Sequence, residues 1–162
     1  MIRALAVTVS NRAAAGVYAD RSGPVLAELL AAAGCDEVDG PLVVPDGEPV
    51  LAALREALAD GYDVIVTTGG TGLTPGDSTP EMTSHVIDRE VPGIAEAIRS
   101  AGAAAGVASA LLSRGLAGLA GRTLIVNLPG SAGGVRDGMA VLAPILAHAV
   151  DQARGGDHPR PA

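Results

Sequence analysis

Lysine is absent from this chain, and all eleven of its basic residues are arginines. Without lysine, the protein cannot form the Schiff base that pyridoxal chemistry requires. It also cannot complete a Walker phosphate loop, which needs a lysine after its last glycine. Any anion site in this protein therefore depends on backbone N–H groups, on arginines or on a bound cation.

Aromatic residues and cysteine are scarce as well. The chain has two tyrosines and no Phe or Trp, so its core must be built from Val, Leu, Ile and Ala, which suits buried parallel strands under small-residue helices. The single Cys35 excludes a disulfide framework and a cysteine metal cluster, and it favours a reducing compartment. We expect a cytoplasmic protein, because neither a signal peptide nor a membrane-spanning run is visible.

The charge balance excludes further classes of partner. The net charge of −7 argues against nucleic acid or an anionic membrane as the main partner. The three histidines have no metal-ligand spacing to one another or to Cys35, and no Ser-His-Asp or Cys-His arrangement can be assembled from the sequence.

Strand-like and helix-like segments alternate along the chain without an internal repeat, which predicts a three-layer α/β/α fold with a mostly parallel, mixed sheet. We expect one domain over residues 1–154 and a flexible polar tail over 155–162. One antiparallel strand is predicted near an edge at 111–119, and no pattern assigns residues 102–110. The other predicted strands are 2–9, 37–44, 64–68 and 123–127, and the predicted helices start near Ser22, Val50, Thr79 (to Arg89), Pro92 and Ala132 (to Ala153).

A glycine-rich loop follows the third predicted strand. Three glycines occur within four positions at 69–72, and Ser78 with Glu81 fits a capping box at the start of a helix. Strand, glycine loop and helix N-terminus together present bare backbone N–H groups to an anion. The loop is not a dinucleotide fingerprint, because Gly76 comes one place too late. Judged on its glycines alone, the loop is equally well explained as a tight turn.

Polar residues follow four of the predicted strands, and in parallel sheets ligands bind outside the carboxyl ends of the strands. Taken alone, Asp46 is better explained as a cap of the helix that follows it, and Asp77 has a similar alternative. Both carboxylates make better sense if Mg²⁺ lies between them and a phosphate. The four converging positions are Ser10, Asp46, the loop 68–77 and the segment 127–131.

The glycine loop and its flanks resemble the molybdopterin-binding domain family, which includes molybdopterin adenylyltransferase and molybdenum cofactor biosynthesis protein B. The resemblance covers nearly the whole chain. It is carried by Thr68-Gly69-Gly70-Thr71-Gly72, Thr74-Pro75-Gly76-Asp77 and Thr79-Pro80-Glu81, and also by Thr8-Val9-Ser10, Asp20-Arg21-Ser22-Gly23-Pro24, Val44-Pro45-Asp46, Val91-Pro92-Gly93, Leu112-Ser113-Arg114 and Asn127-Leu128-Pro129-Gly130.

The resemblance implies a nucleotidyltransferase that uses Mg²⁺, takes ATP as co-substrate and adenylylates molybdopterin with release of pyrophosphate. It implies catalysis by Asp46 and Asp77 with Mg²⁺, a homotrimer, and other molybdenum cofactor assembly proteins as partners. We expect the nucleotide and its phosphates at Ser10, Thr68, Gly69, Gly70, Thr71, Gly72, Asn127, Pro129 and Gly130. We expect molybdopterin at Thr74, Glu81, Ser113 and Arg114.

Three points stay open at this level. The chain has Asn11 where relatives often have Asp, and Asn cannot supply a charge. The segment 127–131 is explained equally well as an anion site at a helix N-terminus and as a simple strand-to-helix turn. The segment 112–114 offers a hydroxyl and a phosphate-binding guanidinium, and its alternative is a surface strand end. The alternative function is a non-catalytic molybdopterin-binding or scaffold protein.

Overall fold

The computed structural model describes residues 1–158. The alternation of strands and helices that the sequence predicts is confirmed. The elements are β1 (Arg3–Val9), α1 (Asn11–Ala14), α2 (Ser22–Ala32), β2 (Glu37–Val44), α3 (Glu48–Asp60), β3 (Val64–Thr68), α4 (Thr79–Ser84), β4 (Arg89–Glu90), α5 (Pro92–Ala104), a 3₁₀ helix (Ala108–Leu112), β5 (Ala117–Ala120), β6 (Thr123–Leu128) and α6 (Ala132–Ala153).

The six strands form one mixed sheet in the order β2-β1-β3-β6-β5-β4. The first four run parallel, and β5 is antiparallel to both of its neighbours. The prediction of a mostly parallel sheet with one antiparallel strand is therefore confirmed. The position of that strand differs, because the two-residue β4 occupies the edge and β5 lies one place inside it.

Alternate residues of the central strands divide the core into two layers, as the two-residue period of a strand requires. One face packs against α2, α5 and α6, and the other packs against α3 and α4. The strand residues on the first face are Ala4, Ala6, Val64, Val66, Leu124 and Val126, and those on the second are Leu5, Val7, Ile65 and Ile125.

Aliphatic side chains fill both layers, as the scarcity of aromatic residues predicts. Leu26 and Leu30 of α2 and Leu142 and Leu146 of α6 are completely buried, and each contributes about 1.5–3 kcal/mol through the area it removes from water. The apolar spacing of the last helix predicts an inward face of Val141, Leu142, Ile145, Leu146 and Ala149. This prediction is wrong for Ile145, which is 40% exposed.

Several helix boundaries follow from local chemistry. Gly61 takes a left-handed conformation at φ +78° and ends α3. The side chain of Ser131 accepts a hydrogen bond from the N–H of Gly134 at 3.0 Å, which caps α6. The predicted ranges for β2 and α6 and the predicted start of α5 at Pro92 agree with the structure.

Two predicted elements are shorter than expected because long-range pairing overrides local propensity. The helix predicted over 79–89 ends at Ser84, and the chain then pairs with β5 through β4. Gly118 of β5 permits this pairing, since a Cβ there would lie 2.6 Å from the carbonyl oxygen of Arg89. The strand predicted over 111–119 is replaced by the 3₁₀ helix, which starts in the unassigned stretch, and by β5.

The ends and loops of the chain complete the fold. Residues 10–20, for which the sequence predicts neither a helix nor a strand, contain the single turn α1. Of the predicted tail, residues 155–158 follow α6 without regular structure, and residues 159–162 lie outside the described range. None of the helices within residues 1–158 combines the length and the apolarity needed to cross a lipid bilayer.

A polar cluster at the amino end of the sheet gives a test of the fold by titration. The hydroxyl of Tyr62 donates to the carboxylate of Asp39 at 2.6 Å, and this hydrogen bond, with burial, raises the pKa of Tyr62 to about 12. The raised value means that the interaction stabilises the fold below the ordinary pKa of tyrosine and is lost as the pH rises through about 12.

Absorbance titration of a Tyr18→Phe variant follows Tyr62 alone, and we expect a midpoint near 12. Replacing Asp39 by Asn in the same background removes the charge that disfavours the phenolate, so the midpoint should move down. A titration that is unchanged by this second substitution would contradict the pairing.

Candidate functional site

The carboxyl ends of the four parallel strands meet at one edge of the sheet. Thr8 pairs with Thr68, and Thr68 pairs in turn with Leu128. The loops after β1, β2, β3 and β6 therefore lie side by side. The convergence that the sequence predicts is present in the fold.

The glycine loop after β3 is bound tightly to its neighbours. The N–H of Gly69 donates to the carbonyl of Leu128 at 3.1 Å, and the hydroxyl of Thr68 donates to the carbonyl of Pro129 at 2.7 Å. Gly69 has φ +101°, and a Cβ there would lie 2.2 Å from the carbonyl oxygen of Val9. Only glycine fits this position, because both the backbone conformation and the space exclude a side chain.

Asp46, after β2, joins its own loop to the start of α4. Its Oδ1 accepts hydrogen bonds from the N–H of Gly47 at 2.8 Å and from the hydroxyls of Ser78 at 3.0 Å and Thr79 at 3.3 Å. Its Oδ2 accepts from the N–H of Ser78 at 3.1 Å. The carboxylate thus sits at the N-terminus of α4 and does not cap α3, which corrects the alternative stated above.

The capping box predicted from Ser78 and Glu81 is also wrong. Ser78 stands at the N-cap of α4, but its side chain makes no cap hydrogen bond to the helix and donates to Asp46 instead. The side chain of Ser78 thus binds Asp46, 32 residues away in sequence, and not the backbone of its own helix.

Asn11 contributes through its oxygen. Its side-chain Oδ1 accepts a hydrogen bond from the N–H of Asp46 at 2.9 Å. Either an amide or a carboxylate can accept this hydrogen bond. The presence of Asn11 in place of the Asp common in relatives therefore does not remove the contact with Asp46.

Asp77 lies in the turn between the glycine loop and α4. Its Oδ2 accepts from the N–H of Thr74 at 3.2 Å. Its Oδ1 has no hydrogen-bond donor within residues 1–158, in contrast to the heavily bonded Asp46. Asp77 therefore keeps an oxygen that can reach a ligand.

Two clefts adjoin at this edge, and we call them the apolar cleft and the polar cleft. The apolar cleft, of about 530 Å³, includes Leu73, Ile98, Arg99, Val107, Leu112, Ser113 and Asp137. The polar cleft, of about 830 Å³, includes Ser10, Asn11, Arg12, Tyr18, Asp20, Arg21 and Asp46. Both volumes fall in the range of small-molecule sites. The shared wall consists of Gly70, Thr74, Asp77, Gly130 and Ser131.

Arg114 and Glu81, both predicted to contact molybdopterin, form an ion pair with each other. The guanidinium of Arg114 also donates to the carbonyls of Gly72 at 2.9 Å and Asp77 at 2.8 Å. The hydrogen bond from Arg114 lowers the pKa of the Glu81 carboxyl. Arg114 therefore braces the glycine loop. Ser113 lies beside it in the apolar cleft, and its hydroxyl donates to that of Thr71 at 3.1 Å.

Asn127, predicted to contact the nucleotide, lies in the interior and lines neither cleft. Its Nδ2 donates to the hydroxyls of Thr67 and Thr83 at 3.0 Å each, and its Oδ1 accepts from the N–H of Leu116 at 3.1 Å. These contacts join β6 to β3, to α4 and to the start of the β5 hairpin. The sequence correctly places Asn127 at the end of a strand. It does not show that the pleat of the strand turns the side chain into the interior.

Six charged or aromatic side chains that line the clefts were not assigned to the site from the sequence. Arg12, Tyr18, Asp20 and Arg21 line the polar cleft, and Arg99 and Asp137 line the apolar cleft. They lie on helices or on the loop after β1, away from the strand ends from which the prediction was made. Asp20 and Arg21 belong to a segment that carries the family resemblance, but no short motif distinguishes the other four.

Gly70 gives a test of the Asp46 contacts. It has φ +68°, and a Cβ there would lie 2.4 Å from Oδ2 of Asp46 and 2.1 Å from the hydroxyl of Thr79. Gly70→Ala should lower the free energy of unfolding by about 2 kcal/mol or more, because strain is added to displaced hydrogen bonds. Urea denaturation measures the loss. Gly76→Ala is the matched control in the same loop, since nothing lies within 4 Å of its Cβ position. Equal stability of the two variants would contradict the packing described.

Comparisons with known proteins show to which family the chain belongs. A family model described as "probable molybdopterin binding domain" matches residues 5–148. The molybdenum cofactor biosynthesis bifunctional protein of Synechococcus elongatus is 38% identical over 96% of this chain and 48% of that protein. The molybdopterin adenylyltransferase of Helicobacter pylori strain J99 is 34% identical over 92% of this chain and 86% of that protein. The chain thus spans about half the length of the bifunctional relative.

Solved structures extend the agreement to the backbone. The molybdopterin biosynthesis Mog protein from Mycobacterium ulcerans superimposes with a TM-score of 0.89 at 51% identity, covering 94% of this chain and 99% of that one. Because the family model covers most of the chain and full-length relatives exceed 30% identity, the chain belongs to the family of molybdopterin-binding domains.

Proposed function

We propose that this protein acts in molybdenum cofactor biosynthesis, as an enzyme that transfers the adenylyl group of ATP to the phosphate of molybdopterin. The observation that carries the proposal is the pair of clefts that meet at one wall, formed by Gly70, Thr74, Asp77, Gly130 and Ser131. Two reactants bound in adjoining clefts can meet there in a fixed orientation, which is the main requirement of nucleotidyl transfer.

ATP is assigned to the polar cleft. The N–H group of Gly70 donates to no acceptor within residues 1–158, and the N-terminus of the 22-residue α6 adds a favourable dipole for anions. Arg12 and Arg21 line the same cleft and form no salt bridge within the described range. These groups supply the local positive potential that a protein of net charge −7 needs. Thr71, Gly72 and Pro129, which were also predicted to contact the nucleotide, line the apolar cleft instead.

Molybdopterin is assigned to the apolar cleft, whose aliphatic lining suits the flat pterin ring. Of the residues predicted to contact molybdopterin, Ser113 and Thr74 contribute hydroxyls to the lining of this cleft. Glu81 and Arg114 serve the site indirectly in this proposal, by bracing the glycine loop. The family resemblance also implies a homotrimer and contacts with other cofactor assembly proteins, and light scattering would test the trimer.

The carboxylates fit a magnesium ion that is held mainly by the substrate. No cluster of three or more Asp, Glu, His or Cys side chains occurs within residues 1–158, so a closed protein cage for a metal is excluded there. Mg²⁺ in such sites uses one or two carboxylates together with phosphates and water. Asp77 through Oδ1 and Asp46 through Oδ2 would hold it, and the ion would neutralise charge on the phosphates.

The reaction needs little proton transfer from the protein. A phosphate oxygen of molybdopterin, already ionised near neutral pH, forms a bond to the α-phosphorus of ATP. The bond from that phosphorus to the bridging oxygen breaks, and pyrophosphate leaves with the electron pair. The residues of the shared wall would orient the two phosphates in line. The N–H groups of Gly70, Gly130 and Ser131, which donate to no acceptor within residues 1–158, would stabilise the developing charge.

Pyrophosphate release tests the proposed function. We expect stoichiometric release when the protein is mixed with molybdopterin and Mg-ATP, and none when either reactant is left out. The alternative function is a protein that binds molybdopterin without catalysis. Tight molybdopterin binding with no pyrophosphate would establish that alternative.

The two aspartates should differ in what they contribute. Asp77→Asn should lower turnover on the order of 100-fold, as removal of a preorganised electrostatic group does, with little change in stability. Asp46→Asn should lower turnover similarly. It should also lower the free energy of unfolding by about 1–3 kcal/mol, because one carboxylate oxygen becomes an NH₂ group that cannot accept the hydrogen bonds made there. Steady-state kinetics and urea denaturation give the two measurements.

Asp60→Asn is the control for both variants, because Asp60 is an exposed carboxylate at the opposite end of the sheet. Molybdopterin binding should change far less than turnover in both site variants. Full turnover of Asp77→Asn at low Mg²⁺ would show that this carboxylate does not hold the metal.

A further inference from the structure

The polar cleft contains one aromatic side chain, that of Tyr18, in a protein that has only two. The other, Tyr62, lies at the opposite end of the sheet, bonded to Asp39 and covered by the guanidinium of Arg3 at 4.4 Å from the ring centroid. Tyr18 has no such cover and is 53% exposed. Tyrosine is enriched at contact surfaces because its ring is apolar while its hydroxyl can bond to polar groups.

Tyr18 is nevertheless held in place. Its hydroxyl shares a hydrogen bond of 3.2 Å with the hydroxyl of Ser10. Ser10 is itself fixed, since its N–H donates to the carbonyl of Val44 at 3.0 Å and its side chain accepts from the N–H of Ala13 at 3.1 Å. The phenol end of the ring is thereby anchored to the end of β1, while about half of the residue's surface stays open.

The position of Tyr18 relative to the two clefts indicates which part of a ligand it meets. Tyr18 lines the polar cleft alone and is not part of the wall that the clefts share. The phosphate that reacts must lie at the shared wall, beside Asp77 and the glycine loop. A base attached to that phosphate through its ribose must then extend into the polar cleft, where Tyr18 is the one flat apolar surface.

We propose that Tyr18 is the platform on which the base of the bound nucleotide stacks, an inference that rests on the proposed function. Stacking on an aromatic ring tolerates every base, because each base has a π face. Tyr18 therefore sets the affinity for nucleotides over bare polyphosphate, and it does not select adenine over guanine. The hydroxyl positions the ring, and the ring makes the contact.

The scarcity of aromatic residues makes the contact directly observable. In a Tyr62→Phe variant Tyr18 is the sole fluorophore, and Mg-ATP should quench its emission in a saturable manner. The Tyr18→Phe variant retains Tyr62 alone and is the matched control, in which the same titration reports only absorption by the nucleotide. Calorimetry on the wild-type protein measures the affinity for Mg-ATP independently.

Substitutions then separate the ring from its hydroxyl. Tyr18→Leu should weaken binding of both ATP and GTP roughly 10-fold, the size of one stacking contact, and leave binding of inorganic triphosphate unchanged. Tyr18→Phe should bind within about twofold of the wild type, because the ring is kept. A thermal unfolding curve confirms that each variant is folded.

The outcomes distinguish this inference from the function on which it rests. Calorimetric binding of ATP to the wild type without quenching of Tyr18, or equal ATP affinity of Tyr18→Leu, would overturn the role of Tyr18 alone. Loss of triphosphate binding in Tyr18→Leu would also overturn it, in favour of a general effect on the cleft. Absence of ATP binding to the wild type would overturn both proposals.

Discussion

The arrangement of the site depends on a single carboxylate, that of Asp46, which ties together stretches that the sequence separates. It accepts hydrogen bonds from its own loop and from the start of α4, and it packs against the bare backbone of Gly70. All of its donors are neutral N–H and hydroxyl groups. They fix the orientation of the carboxylate, and no basic side chain within residues 1–158 forms a salt bridge with it. This carboxylate requires space, which glycine leaves at position 70, and it requires hydrogen-bond donors, which the hydroxyls at positions 78 and 79 supply.

The four arginines that line or border the clefts divide into two that bind backbone carbonyls and two that form no salt bridge within residues 1–158. Arg99 donates to the carbonyls of Ser113 at 3.3 Å and Gly115 at 2.9 Å, while Arg114 donates to the glycine loop. These two guanidiniums hold the segment 113–115 from both sides, where it borders the apolar cleft. A guanidinium is suited to this use, because its fixed fork can bind several carbonyls at once. Arg12 and Arg21 are left to supply charge in the polar cleft.

Local patterns in the sequence were enough for the fold but for only part of the site. The limits of α6 follow from Ser131 as a cap, and the meeting of the loops follows from the parallel order of the strands. The sequence singles out Glu81 and Asn127 but not the groups to which they bind. Those partners are Arg114 for Glu81 and the threonines at 67 and 83 for Asn127, and each is more than 30 residues away. A residue's side-chain partner across such a distance depends on strand register and on which face of the pleat it occupies, and a single sequence states neither. The same reason explains why Tyr18 and Asp137 were missed.

The negative net charge of the protein gives a reason why the glycine loop relies on backbone N–H groups. Exposed lysines would attract ATP over a long range, but they would also attract other polyanions, and their effect is weakened by salt. Backbone N–H groups act over a short distance and in a fixed direction, so they favour an anion only when it occupies the right position. With a net charge of −7, the bulk of the protein repels anions, and in the proposed function the loop at 69–72 would accept one locally. Specificity for a correctly placed phosphate would then come from geometry. That geometry requires a bare backbone at position 69, where a Cβ would lie 2.2 Å from the carbonyl oxygen of Val9.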